Sequence, residues 1–198
     1  MHNLKLIEIL GQETARQIHS NNFIASENYT SEAVRYFCGS VFSNKYAEGY
    51  PGKRYYNGCD NFDQLENLSI DLVTQLYQCN FANVQPHSGA NANLAIFKAF
   101  LNPGDTILGM DLNAGGHLSH GSRANLSGKW FDVHSYNVGA DNLLDYDEIE
   151  FIATQKKPKL IIAGASAYPR QIDFSKFRYI ADKVGAYFLV DMAHYSGD

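Results

Sequence analysis

Nowhere in the 198 residues do eighteen apolar side chains run together, so no membrane-spanning helix is expected. Cysteine is scarce: Cys38, Cys59 and Cys79 are widely spaced and form no CxxC pair. That excludes a disulfide framework and a cysteine-rich zinc site, and it fits a reducing, cytoplasmic setting. Positive charge is thin as well. Sixteen Lys and Arg against 21 Asp and Glu leave a net charge of -5, and no basic stripe interleaved with aromatics emerges, so nucleic acid is not an expected partner. The opening MHNLKLIEIL lacks a basic stretch followed by a sustained apolar core and a small-residue cleavage site, which predicts a soluble chain without a targeting signal. Repeats and low-complexity segments are missing too, and 45% hydrophobic residues suffice for a sizeable core.

What is there begins with Leu4 to Ile18, whose apolar positions are interrupted by Gly11 and predict one or two short helices. Asn21 to Asp60 is crowded with Gly, Asn, Ser and Tyr, and within it KYAEGYPGKRYYNGCD turns at Pro51-Gly52. Structured loops of this length and composition often carry function. From a cap at Asn61, the apolar residues Phe62, Leu65, Leu68, Leu72, Val73 and Leu76 recur at helical spacing. A short extended segment, Asn83 to Pro86, precedes a second helix that opens at Ser88-Gly89 and stops at Asn102-Pro103-Gly104. Thereafter extended stretches at Thr106 to Leu112, Phe131 to Tyr136, Lys159 to Ala163 and Ala186 to Asp191 alternate with helical stretches at Tyr146 to Gln155 and Phe174 to Val184, which predicts a mostly parallel sheet. The runs Leu160 to Ala163 and Tyr187 to Val190 are continuously apolar, the pattern of central strands covered on both faces.

Ligands of such sheets gather beyond the carboxyl ends of the strands. Four places there hold candidate groups. Ser88-Gly89-Ala90 opens a helix whose free N–H groups suit a phosphate, although an ordinary capped helix looks the same. In GGHLSHG, Gly115 and Gly116 let backbone approach a ligand and His117 offers a flat ring. His117 and His120 suggest a metal only weakly, with no third ligand close in sequence. Ser166 follows an apolar strand and offers a hydroxyl. Asp191 ends another strand, with His194 three residues on, and a buried carboxylate there needs a partner such as a protonated heterocyclic nitrogen, an Arg or a backbone cap. A phosphate cradle, a ring for stacking, a hydroxyl and a carboxylate together match pyridoxal phosphate.

The motifs ASEN (25–28), NKYAEGYPGKRYY (44–56), NVQPHSG (83–89), GGHLSHG (115–121) and VDMAH (190–194) resemble serine hydroxymethyltransferases in order and spacing, over nearly the whole chain. The resemblance implies an α/β fold: part of a fold-type-I pyridoxal-phosphate transferase large domain, with a mostly parallel sheet covered by helices. It implies an arm with the tyrosine-rich loop over residues 1–60 and an incomplete cofactor-binding domain over 61–198. It places Ser88, Gly89, Ala90, His117, Ser166, Asp191 and His194 at the cofactor. Catalytic roles fall to Glu48, Tyr46, Tyr56 and His117, with Tyr46 and Glu48 reaching a neighbouring subunit's site and Glu48 moving a proton. Ser26, Tyr46, Glu48 and Tyr55 would meet the amino-acid substrate, and Leu112, Gly116 and Leu118 the folate. The implied reaction exchanges serine and tetrahydrofolate for glycine and 5,10-methylenetetrahydrofolate in a cytoplasmic homo-oligomer with no resident metal.

Two departures qualify the resemblance. Ala90 stands where the family often has a phosphate-binding serine. The family's Schiff-base lysine follows the VDMAH segment at a distance that the 198 residues do not reach, and Lys45 and Lys53 belong to the tyrosine-rich loop, so this stretch alone is expected to be inactive. A threonine-aldolase-like enzyme, a non-catalytic piece that assembles with a separate carboxy-terminal half, and a metal hydrolase using His117, His120, Asp191 and His194 are the competing expectations.

Overall fold

The computed structural model describes residues 2–24 and 27–197. The chain opens with α1 (His2–His19), which runs through Gly11 without a break. Glycine costs a helix only about 1 kcal/mol relative to alanine, and nothing packs at Gly11 that would force a bend. Ion pairs Lys5–Glu8 and Arg16–Glu13, one turn apart, support the helix on its surface. α2 (Glu32–Cys38) follows, capped by Ser31, whose hydroxyl accepts the Val34 N–H.

The tyrosine-rich segment forms a small antiparallel hairpin, β1 (Gly49–Tyr50) and β2 (Lys53–Arg54), around the expected turn at Pro51-Gly52. Arg54 anchors it. Its guanidinium pairs with Asp63 and Glu66 of α3 (Asp60–Tyr77) and donates to the carbonyls of Ala47 and Gly49. α3 starts earlier than its apolar spacing suggests: Cys59 occupies the cap position and Asn61 lies inside the first turn. The start is set by Asp60 and Asp63 at the positive helix end and by the Cys59 thiol, which is turned back onto the Tyr56 carbonyl.

Residues 83–86, expected to be extended, form no strand among the described residues; there the Gln85 side chain donates to the Gly49 carbonyl and to Glu66. Next come α4 (Gly89–Phe100), β3 (Thr106–Met110), the short α5 (Leu126–Trp130), β4 (Asp132–Tyr136), α6 (Tyr146–Lys156), β5 (Leu160–Gly164), α7 (Phe174–Val184) and β6 (Tyr187–Asp191). All four strands are parallel, in the order β4-β3-β5-β6. Alternate residues of β3 and β5 feed two cores. Leu108, Ile161 and Ala163 pack with Ile149 and Ala153 of α6 and Phe177 and Ile180 of α7, whereas Ile107, Leu160 and Ile162 pack with Phe97 of α4 and Phe131.

The Leu160 run is central and fully buried, as expected. The Tyr187 run is not. Among the described residues β6 is an edge strand and is only half-buried. Apolar sequence reports cover on the two faces, which α7 supplies through Phe177 stacked on Phe188 and α4 through Phe100 against Tyr187, and it says nothing of lateral neighbours. The strand ends meet tightly: Gly164 has φ +125°, and a Cβ there would lie 2.1 Å from the Asp191 carbonyl oxygen. Only glycine fits, and its absence of a side chain keeps the end of β6 seated against β5.

Candidate cofactor site at the carboxyl ends of the strands

Beyond β3 the chain makes a single-turn 3-10 helix at Leu112–Ala114, passes Gly115 and Gly116, and makes a second one at Leu118–His120. The paired glycines permit this compact path. A Cβ on Gly116 would sit 2.2 Å from the Met110 carbonyl oxygen, and Gly115 turns at φ +108° so that its carbonyl accepts the N–H groups of Ser166 and Ala167 at 2.9 and 3.1 Å. The loop after β3 is thereby fastened to the loop after β5.

At its centre lies Asp191. Oδ2 accepts two hydrogen bonds, from Asn93 Nδ2 and from His120 Nε2, each at 2.8 Å, and Oδ1 accepts the Ala193 N–H at 3.2 Å. Burial by itself raises the Asp191 carboxyl, but the hydrogen bonds from His120, Asn93 and Ala193 hold it well below the usual carboxylate range. The group is therefore an anion at neutral pH, and Oδ1 keeps a lone pair for a further donor.

His117 stands beside it, half-buried, with its ring 5.7 Å from that of His120 and 6.2 Å from that of His194. Its Nδ1 accepts the Ser119 N–H at 3.1 Å and lies 2.7 Å from the Ser119 hydroxyl. Burial pushes the His117 imidazole down from its ordinary value; His120 adds to the shift, Asp191 opposes it and His194 adds again. An uncharged flat ring is what results. Ser166 Oγ is buried without a hydrogen-bond partner, an unmet polar group of the kind a ligand atom satisfies.

Ser88 caps α4, its hydroxyl oxygen accepting the Asn91 N–H at 3.1 Å. That leaves the N–H groups of Gly89 and Ala90 in the first turn with no intrahelical carbonyl to meet. Gly89 is packed against the residue just after Asp191's neighbour Met192, since a Cβ on Gly89 would approach the Ala193 methyl to 3.2 Å. A phosphate-sized anion at this helix end and a ring nitrogen at Asp191 thus fall on one surface. The donor set fits pyridoxal phosphate: an anion hole, a face for stacking, an unmet hydroxyl and a partly buried carboxylate with one open lone pair.

The structure brings Ser88, Gly89, Ala90, His117, Ser166, Asp191 and His194 to the same end of the sheet. Leu112 and Leu118 flank them and are exposed, whereas Gly116 is buried beneath them. Tyr46, Glu48, Tyr55 and Tyr56 belong to the hairpin region and are exposed, and among the described residues no hydrogen bond or ring contact joins them to Asp191 or His117. The Tyr46 and Tyr56 rings face one another at 5.8 Å. Ser26 lies outside the described residues.

Two members of the site escape sequence reasoning, Asn93 and Ser119, both buried; the buried His120, read there only as a weak metal candidate, instead holds Asp191. Asn93 had a detectable signal, since it lies four residues before Phe97 on the core-facing stripe of α4, where a polar side chain needs a buried partner. The metal argument also changes. Asp191 supplies the third group that sequence proximity did not, and the ligand atoms of His117, His120 and Asp191 all lie within 4.8 Å of one another.

A parallel α/β layer with this carboxylate and imidazole at its carboxyl edge defines part of a fold-type-I pyridoxal-phosphate transferase domain. Comparison with known proteins agrees. The family model described as serine hydroxymethyltransferase matches residues 1–198. The serine hydroxymethyltransferase of Rickettsia massiliae (strain Mtu5) is 59% identical over 191 residues, covering 96% of this chain and 46% of the relative. That of Rickettsia peacockii (strain Rustic) is 58% identical over the same coverage, and a probable serine hydroxymethyltransferase of Rickettsia bellii (strain RML369-C) is 57% identical over 193 residues, 97% of this chain and 46% of the relative. The chain belongs to the serine hydroxymethyltransferase family. It spans about half the length of the curated relatives it matches.

Proposed function

We propose that the protein built on this chain exchanges serine and tetrahydrofolate for glycine and 5,10-methylenetetrahydrofolate, using pyridoxal phosphate, in the cytoplasm. The observation that carries this reading is the Asp191 carboxylate at the end of β6, held by two donors on one oxygen with a lone pair spare on the other. When bound, the cofactor supplies an electron sink at the substrate's α-carbon. Asp191 keeps a pyridine nitrogen protonated by placing a fixed anion against it. His117 would stack on the ring, and as an uncharged imidazole it would do so without repelling that protonated nitrogen. Ser88 and the N–H groups of Gly89 and Ala90 take the phosphate at the positive end of α4. Ser166 and His194 serve the phenolic oxygen, Ser166 through its unpartnered hydroxyl.

Glu48, with Tyr46, Tyr55 and Tyr56, is proposed to act in the site of a second subunit, Glu48 holding and returning a proton during reaction. Their exposure and the stripe of exposed leucines Leu65, Leu68, Leu72 and Leu76 on α3 support a homo-oligomer. Ser26 is proposed to meet the amino-acid substrate, and Leu112, Gly116 and Leu118 to wall the folate's flat ring. Residues 1–60 then serve as arm and active-site loop, and 61–198 as the first part of the cofactor domain.

No lysine among these residues is proposed as the cofactor's anchor, so residues 1–198 alone are expected to be inactive. The test is visible absorbance with added pyridoxal phosphate, borohydride reduction and mass analysis. A single stoichiometric lysine adduct within residues 1–198 sinks the inactivity reading. In the longer protein, serine cleavage independent of tetrahydrofolate points to an aldolase-like enzyme instead. A metal-centred hydrolase is disfavoured by the geometry: His120 Nε2 and Asp191 already satisfy one another, and Nδ1 of both histidines faces internal donors. Stoichiometric metal in the purified protein would reverse that preference.

A further inference from the structure

The hydrogen bonds around Asp191 have directions that can be assigned, because several of their members can act in only one way. The His117 backbone N–H can only donate, and it meets His120 Nδ1 at 3.3 Å. The proton of the His120 ring therefore lies on Nε2, which donates it to Asp191 Oδ2. The Ser119 backbone N–H likewise fixes His117 Nδ1 as an acceptor, so the His117 proton lies on Nε2. Asn93 is oriented by the carboxylate, which only accepts: its Nδ2, not its oxygen, must face Asp191 Oδ2. The second Nδ2 proton then goes to Ser119 Oγ at 2.8 Å, and the Ser119 hydroxyl is left to donate to His117 Nδ1 at 2.7 Å.

The result is a closed circuit of Asp191, Asn93, Ser119, His117 and His120 in which every proton is placed. Asn93 is its only member that bonds both the carboxylate directly and, through one hydroxyl, the stacking imidazole. It projects from α4, the same helix whose first turn forms the anion hole, and it is buried. Few substitutes exist. An aspartate would oppose Asp191 with a like charge, and a leucine would leave Asp191 and Ser119 each short of a donor.

We propose that Asn93 is the positioning residue that sets the ring-nitrogen carboxylate and the stacking imidazole relative to one another, spending one amide proton on Asp191 and the other, through Ser119, on the orientation and tautomer of His117. This rests on the pyridoxal-phosphate reading of the site, and it predicts a pattern that residues holding only the fold do not produce. The measurement is imidazole nitrogen-15 and ring-proton NMR on the protein carrying this chain, with pyridoxal phosphate affinity followed by absorbance titration. Asn93→Ala shifts both the His120 Nε2–H proton, which shares Oδ2 with Asn93, and the His117 Nδ1 nitrogen, and weakens the cofactor on the order of tenfold, as expected for a lost hydrogen bond to a charged group. Ser119→Ala shifts His117 and leaves His120 where it was. Ser119→Thr, which keeps the hydroxyl, shows the wild-type pattern.

If neither alanine variant moves the His117 signal, or if Ser119→Ala disturbs His120 as much as Asn93→Ala does, the wiring is wrong. Should Asn93→Ala fail to fold, Asn93→Gln, which keeps the amide but displaces it, is read by the same two signals, and unmoved His117 and His120 signals there overturn the proposal. The cofactor reading fails separately, when the wild type shows the assigned tautomers yet does not bind pyridoxal phosphate.

Discussion

Replacing Asp191 with asparagine keeps the shape of the side chain and removes its charge. Asn93 and His120 both aim protons at Oδ2, so the new amide must turn its oxygen to that side. Its NH2 then faces the Ala193 N–H, now a donor against a donor across 3.2 Å. Two charge-assisted hydrogen bonds become ordinary ones, at about 1 kcal/mol each, while the exposed Ala193 N–H can turn to water at little cost. The expected loss is about 2 kcal/mol at pH 7, read as a shift in the urea midpoint at unchanged slope. The wild type supplies a control through pH. Because the folded-state carboxyl sits below its unfolded value near 3.8, its contribution is complete above about pH 5 and declines as pH falls through 4 and lower. The stabilities of wild type and Asp191→Asn should therefore converge in acid. A variant within about 0.5 kcal/mol of wild type at pH 7, or a gap that persists unchanged at pH 2.5 to 3, would refute the view of Asp191 as a strongly held anion.

Other perturbations probe separate parts of the structure. His117 has a depressed folded-state value, so the unfolded chain takes up its proton first as pH falls below about 6.5 and stability drops there; in His117→Asn the pH dependence of the thermal midpoint between pH 6.5 and 5 becomes flatter. Ala90→Ser restores a hydroxyl at the anion hole, and inorganic phosphate should compete with pyridoxal phosphate more effectively, with both binding about threefold to tenfold more tightly by titration. Gly164→Ala drives a methyl to 2.1 Å from the Asp191 carbonyl oxygen in a left-handed backbone region; an unfolding loss of at least about 2 kcal/mol is expected, with weakened cofactor binding because β6 must shift. Arg54→Leu removes the guanidinium that ties the Ala47 and Gly49 carbonyls to α3, and protease cleavage within residues 45–56 should accelerate while the sheet's unfolding midpoint changes little.

Much of the architecture was legible because parallel α/β structure repeats one local rule. The alternation of apolar strands with amphipathic helices located every strand of the sheet to within two residues, and the Phe174–Val184 helix to its ends, because Asp173 caps it and Gly185 terminates it. The same rule misread what depends on neighbours in space. The apolar run at Tyr187 looked central, yet β6 has one strand beside it among the described residues. Gly11 looked like a break, but an exposed helix tolerates it. α5 escaped notice because five residues give too little periodicity to register, and its cap, Asn125, sits in a polar stretch that reads as loop.

The site divides along a similar line. Asp191 and His117 were visible because each has a role written in its immediate surroundings, a carboxylate ending an apolar strand and a ring in a glycine-rich loop. Asn93 and Ser119 have no such surroundings, and His120, noticed only as a weak metal candidate, shows no sign in sequence of holding Asp191; the significance of these three is mutual and lies across separations of 26, 71 and 98 residues. Local pattern finds groups that a ligand would touch; it is poor at finding those that hold such groups still, because holding is a property of pairs. A polar residue on the buried stripe of a helix is the exception, as it announces an unmet hydrogen bond before its partner is known. Asn93 is such a residue, and searching the inward faces of helices for uncharged amides would recover positioning groups of this kind from sequence alone.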